Sequence, residues 1–292
     1  MESILQQFYK DINLSNSKYL VDLNSVLLQQ SDYKDQKWDN PIINKMMSNY
    51  EKGRSLFEFC YNVSICNSNK LKLQPPNFDI VIPINTISFF EEVNALWFCY
   101  STTLNIMVLC FTSTYTNSLF LVDVNYLHLD LTNINNSCDG FKIHGGFLTF
   151  YKGFRDKIIE LVKKYYNNET QLFITGFSLG GAISTLSALD LHKVEINTTT
   201  TINNITHFSF ASPRIFNTIG ANHFEFLSIS SYRVHNNSDI VISLPFPIMI
   251  SSTRSLEIQD FMHIGKSISF NDNIGNYYDN HILSYLKYFM LI

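Results

Sequence analysis

The chain has 292 residues, 46% of them hydrophobic and 16% charged, with a formal net charge of -4. That apolar content excludes a disordered chain, the length suits one large domain with a substantial core, and the mild negative charge gives no reason to expect nucleic acid. No linker composition interrupts the sequence. A single domain over 1–292 is therefore expected, with residues 1–75 as a helical cover and 76–292 as the core.

The N-terminus, MESILQQFYKDINL, carries acidic residues and no apolar core of signal-peptide length, while Ile4, Leu5, Phe8 and Ile12 fit one helix face. This leads to the expectation of a cytoplasmic protein. No stretch reaches about 18 apolar residues, and the apolar segment 240–250 is broken by Pro245 and Pro247. No transmembrane segment is expected, and any lipid contact is peripheral. Cys60, Cys66, Cys99, Cys110 and Cys138 lack metal-ligand spacing and read as free, mostly buried thiols, with a Cys99–Cys110 bridge open to an oxidising compartment. No metal or cofactor is expected. Asn-rich tracts such as 197–204 reflect composition bias, so the Asn-x-Ser/Thr matches at Asn62 and Asn204 say little about glycosylation.

Asn40-Pro41 reads as a helix N-terminus, continued at helical spacing by Ile43, Met46, Met47 and Tyr50. After the break at 74–77 the texture becomes β from Ile80. Leu96–Tyr100 and Asn105–Phe111 read as a hairpin entering a central strand, and the unbroken apolar run IMVLCF suits a strand buried on both faces. That strand ends in Thr112-Ser113-Thr114, followed by the semi-apolar segment Tyr115–Val122. The segment reads either as an oxyanion contributor with a lid or as a plain turn and edge, and local sequence alone favours the turn. Gly146–Tyr166 reads as one amphipathic helix. Strands are expected over His207–Ala211 and Ser231–His235, and alternation with helices argues for a mainly parallel α/β sheet.

The segment QLFITGFSLGGA (171–182) carries the chemistry. An apolar run meets Gly176-Phe177-Ser178-Leu179-Gly180, and a helix of small and apolar residues follows. A strand that turns into a helix within one residue strains the serine backbone and needs glycines beside it. Ser178 would stand at the N-terminus of a helix, where free N–H groups favour a developing anion. The same five residues also fit an ordinary turn. A serine hydroxyl needs a histidine to take its proton and a carboxylate to orient that histidine, in the order serine, acid, histidine. Asp239, in the polar loop after a predicted strand, is the candidate acid. His263 and His281 are the two candidate bases, while Asp190 reads as structural.

Together these motifs resemble the class 3 lipases, over roughly residues 95–288. The ordered anchors are CFTST (110–114), IHGGF (143–147), TGFSLGGA (175–182), FASPRIFN (210–217) and YRVHNNSDIVISLP (232–245), then MHIG (262–265) and DNH (279–281). The resemblance implies an α/β-hydrolase fold with a mainly parallel sheet and helices on both faces. It implies Ser178 as nucleophile, Asp239 as acid and His281 as base, with Thr114 and the Leu179 N–H forming the oxyanion hole, and it gives His263 a structural role. A lid over Tyr115–Val122 and a lipid ester substrate, such as an acylglycerol, follow from the same likeness. One departure is that Thr112-Ser113 stands where the family has Arg-Gly. The competing readings are a phospholipase A or acyltransferase, and a weak or inactive module that binds lipid or protein through the same fold.

Overall fold

The computed structural model describes residues 38, 47–88, 91–113, 128–130, 140–192, 194–197, 200–245, 249–250 and 258–289. Compact units divide at residues 39 and 40, and every secondary-structure element described lies in the second. Its centre is a seven-stranded sheet whose spatial order follows the chain: β1 Ile80–Ser88, β2 Glu91–Ser101, β3 Ile106–Phe111, β4 Gln171–Phe177, β5 Ile205–Phe210, β6 Ser230–Asn236 and β7 Lys266–Phe270. The β1/β2 and β2/β3 pairs are antiparallel, while β3 to β7 run parallel. The chain sets this division. Only Thr102 to Asn105 separate β2 from β3, far too few for the crossover that a parallel pair requires.

All six residues of β3 are buried, because helices cover both sheet faces. On one face lies α1, Asn49–Asn69, which Ser48 and Glu51 start with a reciprocal capping box. Its Phe57 ring packs on Phe177 and Phe210, and its Cys60 thiol meets Thr175 Oγ1 at 3.6 Å. The expected start at Asn40-Pro41 lies outside the described residues; the helix observed begins at Asn49, so Met47 precedes it.

The segment expected as one helix over Gly146–Tyr166 is two, α2 Gly145–Lys152 and α3 Arg155–Tyr165. The break at Gly153-Phe154 has a packing cause. Phe154 leaves helical geometry (φ -138°, ψ 3°) and buries its ring beside Phe111, Phe150 and Tyr151. Amphipathic spacing could not register that event, because both halves bury the same side.

On the opposite sheet face lies α4, Leu179–Leu191, with every residue buried. Asp190 near its end accepts two bonds from Arg155, at 2.7 and 2.9 Å, and one from Tyr151 at 2.9 Å, which locks α2, α3 and α4 together. Asp190 is thus a structural carboxylate. Further along, α5 spans Thr218–Glu225, and two short helices close the chain, α6 Tyr277–His281 and α7 Leu283–Tyr288. The DNH motif at 279–281 forms the end of α6.

Cys60, Cys66, Cys99 and Cys110 are free and buried. Cys99 and Cys110 lie on adjacent strands but pair across them with Val108 and Trp97, so no bridge joins them. Among the described residues no helix is long and apolar enough to cross a membrane.

Candidate active site

The sheet's parallel strands end at one edge, and the turn after β4 carries Ser178. Its backbone sits at φ 56° and ψ -122°, a region that a residue with a side chain enters only under strain of about 1–3 kcal/mol. Two glycines make that turn sterically feasible. A Cβ on Gly176 would lie 2.1 Å from the Gly180 carbonyl oxygen, and one on Gly180 would lie 2.4 Å from the Phe111 carbonyl oxygen. Strand and helix therefore meet backbone to backbone. Ser178 N donates to the Phe210 carbonyl at 2.8 Å, fixing the turn to β5.

The serine hydroxyl lies 2.9 Å from His281 Nε2, and His281 Nδ1 lies 2.8 Å from Asp239 Oδ2. A carboxylate only accepts, so Nδ1 carries the proton and Nε2 is left as the acceptor facing the serine O–H. Ser178 and the His281 side chain keep 6% and 12% of their surface exposed, whereas the Asp239 side chain is sealed at 0%. Solvent or a substrate can reach the first two and not the third. Asp239 is reached at the end of β6, as the order of the motifs required, and comes into contact with a histidine 42 residues away.

Two further residues, absent from the sequence reading, organise this chain of hydrogen bonds. Tyr285 OH donates to Asp239 Oδ2 at 3.0 Å and accepts from Asn236 N at 2.9 Å, while Val241 N donates to Asp239 Oδ1 at 2.9 Å. Fully buried Asn236 donates through Nδ2 to the carbonyls of Asp272 and Asn280 and to Ser284 Oγ, at 2.7, 3.1 and 3.1 Å. It thereby staples the segment bearing His281 to the turn bearing Asp239. The signal for Tyr285 was present in the sequence: it lies four residues after His281, on the same side of a helical path. Phe177 packs its ring 5.0 Å from the His281 ring and restricts its rotation from the other side.

His263, the other candidate base, is elsewhere. Its Nε2 meets the Ile242 carbonyl at 2.8 Å, and burial with Arg233 and Arg214 nearby pushes its pKa down to about 3. His207 is buried under α4, with Nε2 3.0 Å from Ser184 Oγ and Nδ1 2.9 Å from Ser231 Oγ, and burial pushes it down to about 3 as well. Both are neutral fixtures of the fold.

Leu179, of the expected oxyanion pair, opens α4 directly after Ser178, so its N–H belongs to the unpaired first turn of a 13-residue helix. Thr114 and the expected lid at Tyr115–Val122 lie outside the described residues. Thr112, in place of the family's arginine, donates from Oγ1 to the carbonyls of Asn94 and Ala95 at 2.6 and 3.1 Å. The approach to that loop is thus tied to β2 rather than reaching out by a long charged side chain.

Comparison with known proteins places this geometry in context. Residues 108–249 match the family model described as lipase (class 3). The chain is 30% identical over 121 residues to the chloroplastic phospholipase A(1) DAD1 of Arabidopsis thaliana, covering 39% of this chain and 26% of that protein. It is 27% identical over 183 residues to secreted mono- and diacylglycerol lipase A of Penicillium cyclopium, covering 58% and 56%. The matches thus span from about a quarter to somewhat over half of these relatives' lengths. The solved triacylglyceride lipase of Rhizomucor miehei superimposes with a TM-score of 0.52 over 68% of each chain, at 21% identity, and shares the α/β-hydrolase fold. The names of these relatives overturn the cytoplasmic location expected from the N-terminal composition, since they are secreted or chloroplastic. Short apolar content near a first residue is a weak guide to destination, because export and import signals need not resemble one another.

Proposed function

Residues 108–249 belong to the class 3 lipases, and from that premise we propose that the protein hydrolyses carboxylic esters of lipids through an acyl-enzyme formed on Ser178. The single observation that carries this reading is the continuous hydrogen-bond chain from Ser178 through His281 to Asp239, at 2.9 and 2.8 Å. In it, His281 Nε2 takes the Ser178 proton as Oγ attacks the ester carbonyl carbon. Asp239 holds the ring in the required tautomer and offsets the imidazolium charge. The tetrahedral oxyanion is held by the Leu179 N–H, favoured by the helix N-terminus, and by Thr114 as the second donor. Collapse of the intermediate transfers the proton from His281 to the departing alcohol. Water, deprotonated by the same nitrogen, then releases the fatty acid and restores the serine.

Acylglycerols are the substrate class this reading favours, and phospholipids are the neighbouring one, in line with the names of the two relatives. The apolar residues Leu119, Phe120 and Leu121 support an interfacial lid, since their exposure is costly in water and tolerable at a lipid surface.

Incubation with a fluorophosphonate probe, read by intact mass, tests nucleophile activation before any substrate is chosen. One covalent adduct on the wild type and none on Ser178→Ala is the expected result. A folded wild type that stays unlabelled with detergent present would overturn the hydrolase reading in favour of a binding module.

A further inference from the structure

Beyond the triad, on the α4 side of the sheet, two arginines and a histidine meet in one recess. Arg214 follows β5, Arg233 stands in β6 opposite Ser209 of β5, and His263 precedes β7. With Thr185 of α4 they bound a half-open pocket that has room for about one water-sized occupant.

The contacts of these groups show what is missing from it. Arg214 Nη1 donates to the carbonyls of Ser243 and Pro245, the second at 2.9 Å, and His263 Nε2 donates to that of Ile242. Arg233 Nε is buried without a hydrogen-bond partner. Among the described residues no carboxylate lies within ion-pair distance of either guanidinium. A guanidinium does not shed its charge at any ordinary pH, so two of them sharing a confined recess repel unless an anion intervenes. Burial, and after it the two guanidiniums, lower the pKa of His263. A water would satisfy a donor but would supply no charge.

We propose that this recess binds a single halide ion, chloride under ordinary conditions, between the guanidiniums of Arg214 and Arg233. With room for about one water-sized occupant, the recess favours a monatomic anion over phosphate or sulfate. The consequence reaches the acid turn, because Arg214 and His263 hold the carbonyls of residues 242, 243 and 245, just after Asp239. A bound ion steadies the side chains that hold that turn. The inference stands on charge and space alone and does not depend on ester hydrolysis.

Thermal unfolding of the full chain in sodium chloride, against sodium gluconate at matched ionic strength, is the first measurement. The melting temperature rises saturably in chloride, by about 3 °C at tenfold over Kd, and does not rise in gluconate. Arg233→Gln abolishes the chloride response. Wild-type crystals soaked in bromide give an anomalous peak between the two guanidiniums, which keeps the test independent of whether that variant folds. Identical curves in the two salts, or bromide crystals without that peak, would overturn the proposal.

Discussion

Replacing Tyr285 by phenylalanine removes one oxygen and isolates its role. The ring contacts with Phe57, Phe177 and Phe270 persist in the variant, so little packing is lost. Two hydrogen bonds go. Asp239 Oδ2 loses a donor at 3.0 Å, and the buried Asn236 N–H loses its acceptor at 2.9 Å. A bond to an ionised group contributes about 1.5–3 kcal/mol and a stranded buried N–H costs about 1–3 kcal/mol, so a combined loss near 3 kcal/mol is expected. For a chain of 292 residues that corresponds to a fall in Tm of roughly 5 °C. With only Val241 N and His281 left to hold the carboxylate, looser placement of His281 should lower kcat about tenfold, or about 1.4 kcal/mol, with KM little changed. Calorimetry and initial rates on a soluble short-chain ester, both at 15 °C or above, read the two effects separately. A variant that melts and turns over like the wild type would refute the reasoning. One that melts early yet keeps full kcat would reduce Tyr285 to a purely structural bond.

Gly180→Ala places a Cβ 2.4 Å from the Phe111 carbonyl and 2.9 Å from that of Thr112, both backbone atoms, so α4 must retreat from β3. Loss of soluble protein, or a Tm at least about 10 °C lower, is expected, and wild-type melting would contradict the tight elbow. Arg155→Ala removes both guanidinium bonds from buried Asp190 and should cost about 3–5 kcal/mol in urea unfolding, whereas an exposed ion pair would cost under about 1 kcal/mol. Burial holds His207 neutral down to about pH 3, while in the unfolded chain it takes up its proton near pH 6.5. Its contribution is complete above pH 6.5 and is lost as pH falls toward 3; His263 acts in the same sense. His207→Gln should therefore bind about one proton fewer on unfolding at pH 5, seen as a shallower slope of stability against pH, and an unchanged slope would reject the assignment.

Some features were fixed by local sequence, because the forces behind them act over a few residues. The unbroken apolar run at Ile106–Phe111 suited a strand covered on both faces, and all six of its residues are buried in one. The four-residue connection before it forced an antiparallel pair. Gly176 and Gly180 around Ser178 announced a turn in which backbones touch, and the structure gives those contacts as carbonyl oxygens that leave no space for a Cβ. The order of motifs along the chain also put Ser178, Asp239 and His281 forward as a group. Local sequence left His263 and His281 both open as the base, since both sit in short polar segments near the C-terminus, and only the family resemblance favoured His281. That choice depends on where β7 and α6 cross the sheet edge, which brings His281 to Ser178 and leaves His263 against the Ile242 carbonyl. The contact of Phe154 with Phe111, the hydrogen bonds that Tyr285 and Asn236 make across 46 to 49 residues, and the meeting of Arg214 with Arg233 arise in the same way. Each joins residues distant in the chain, and their partnership is settled by how helices pack on a twisted sheet.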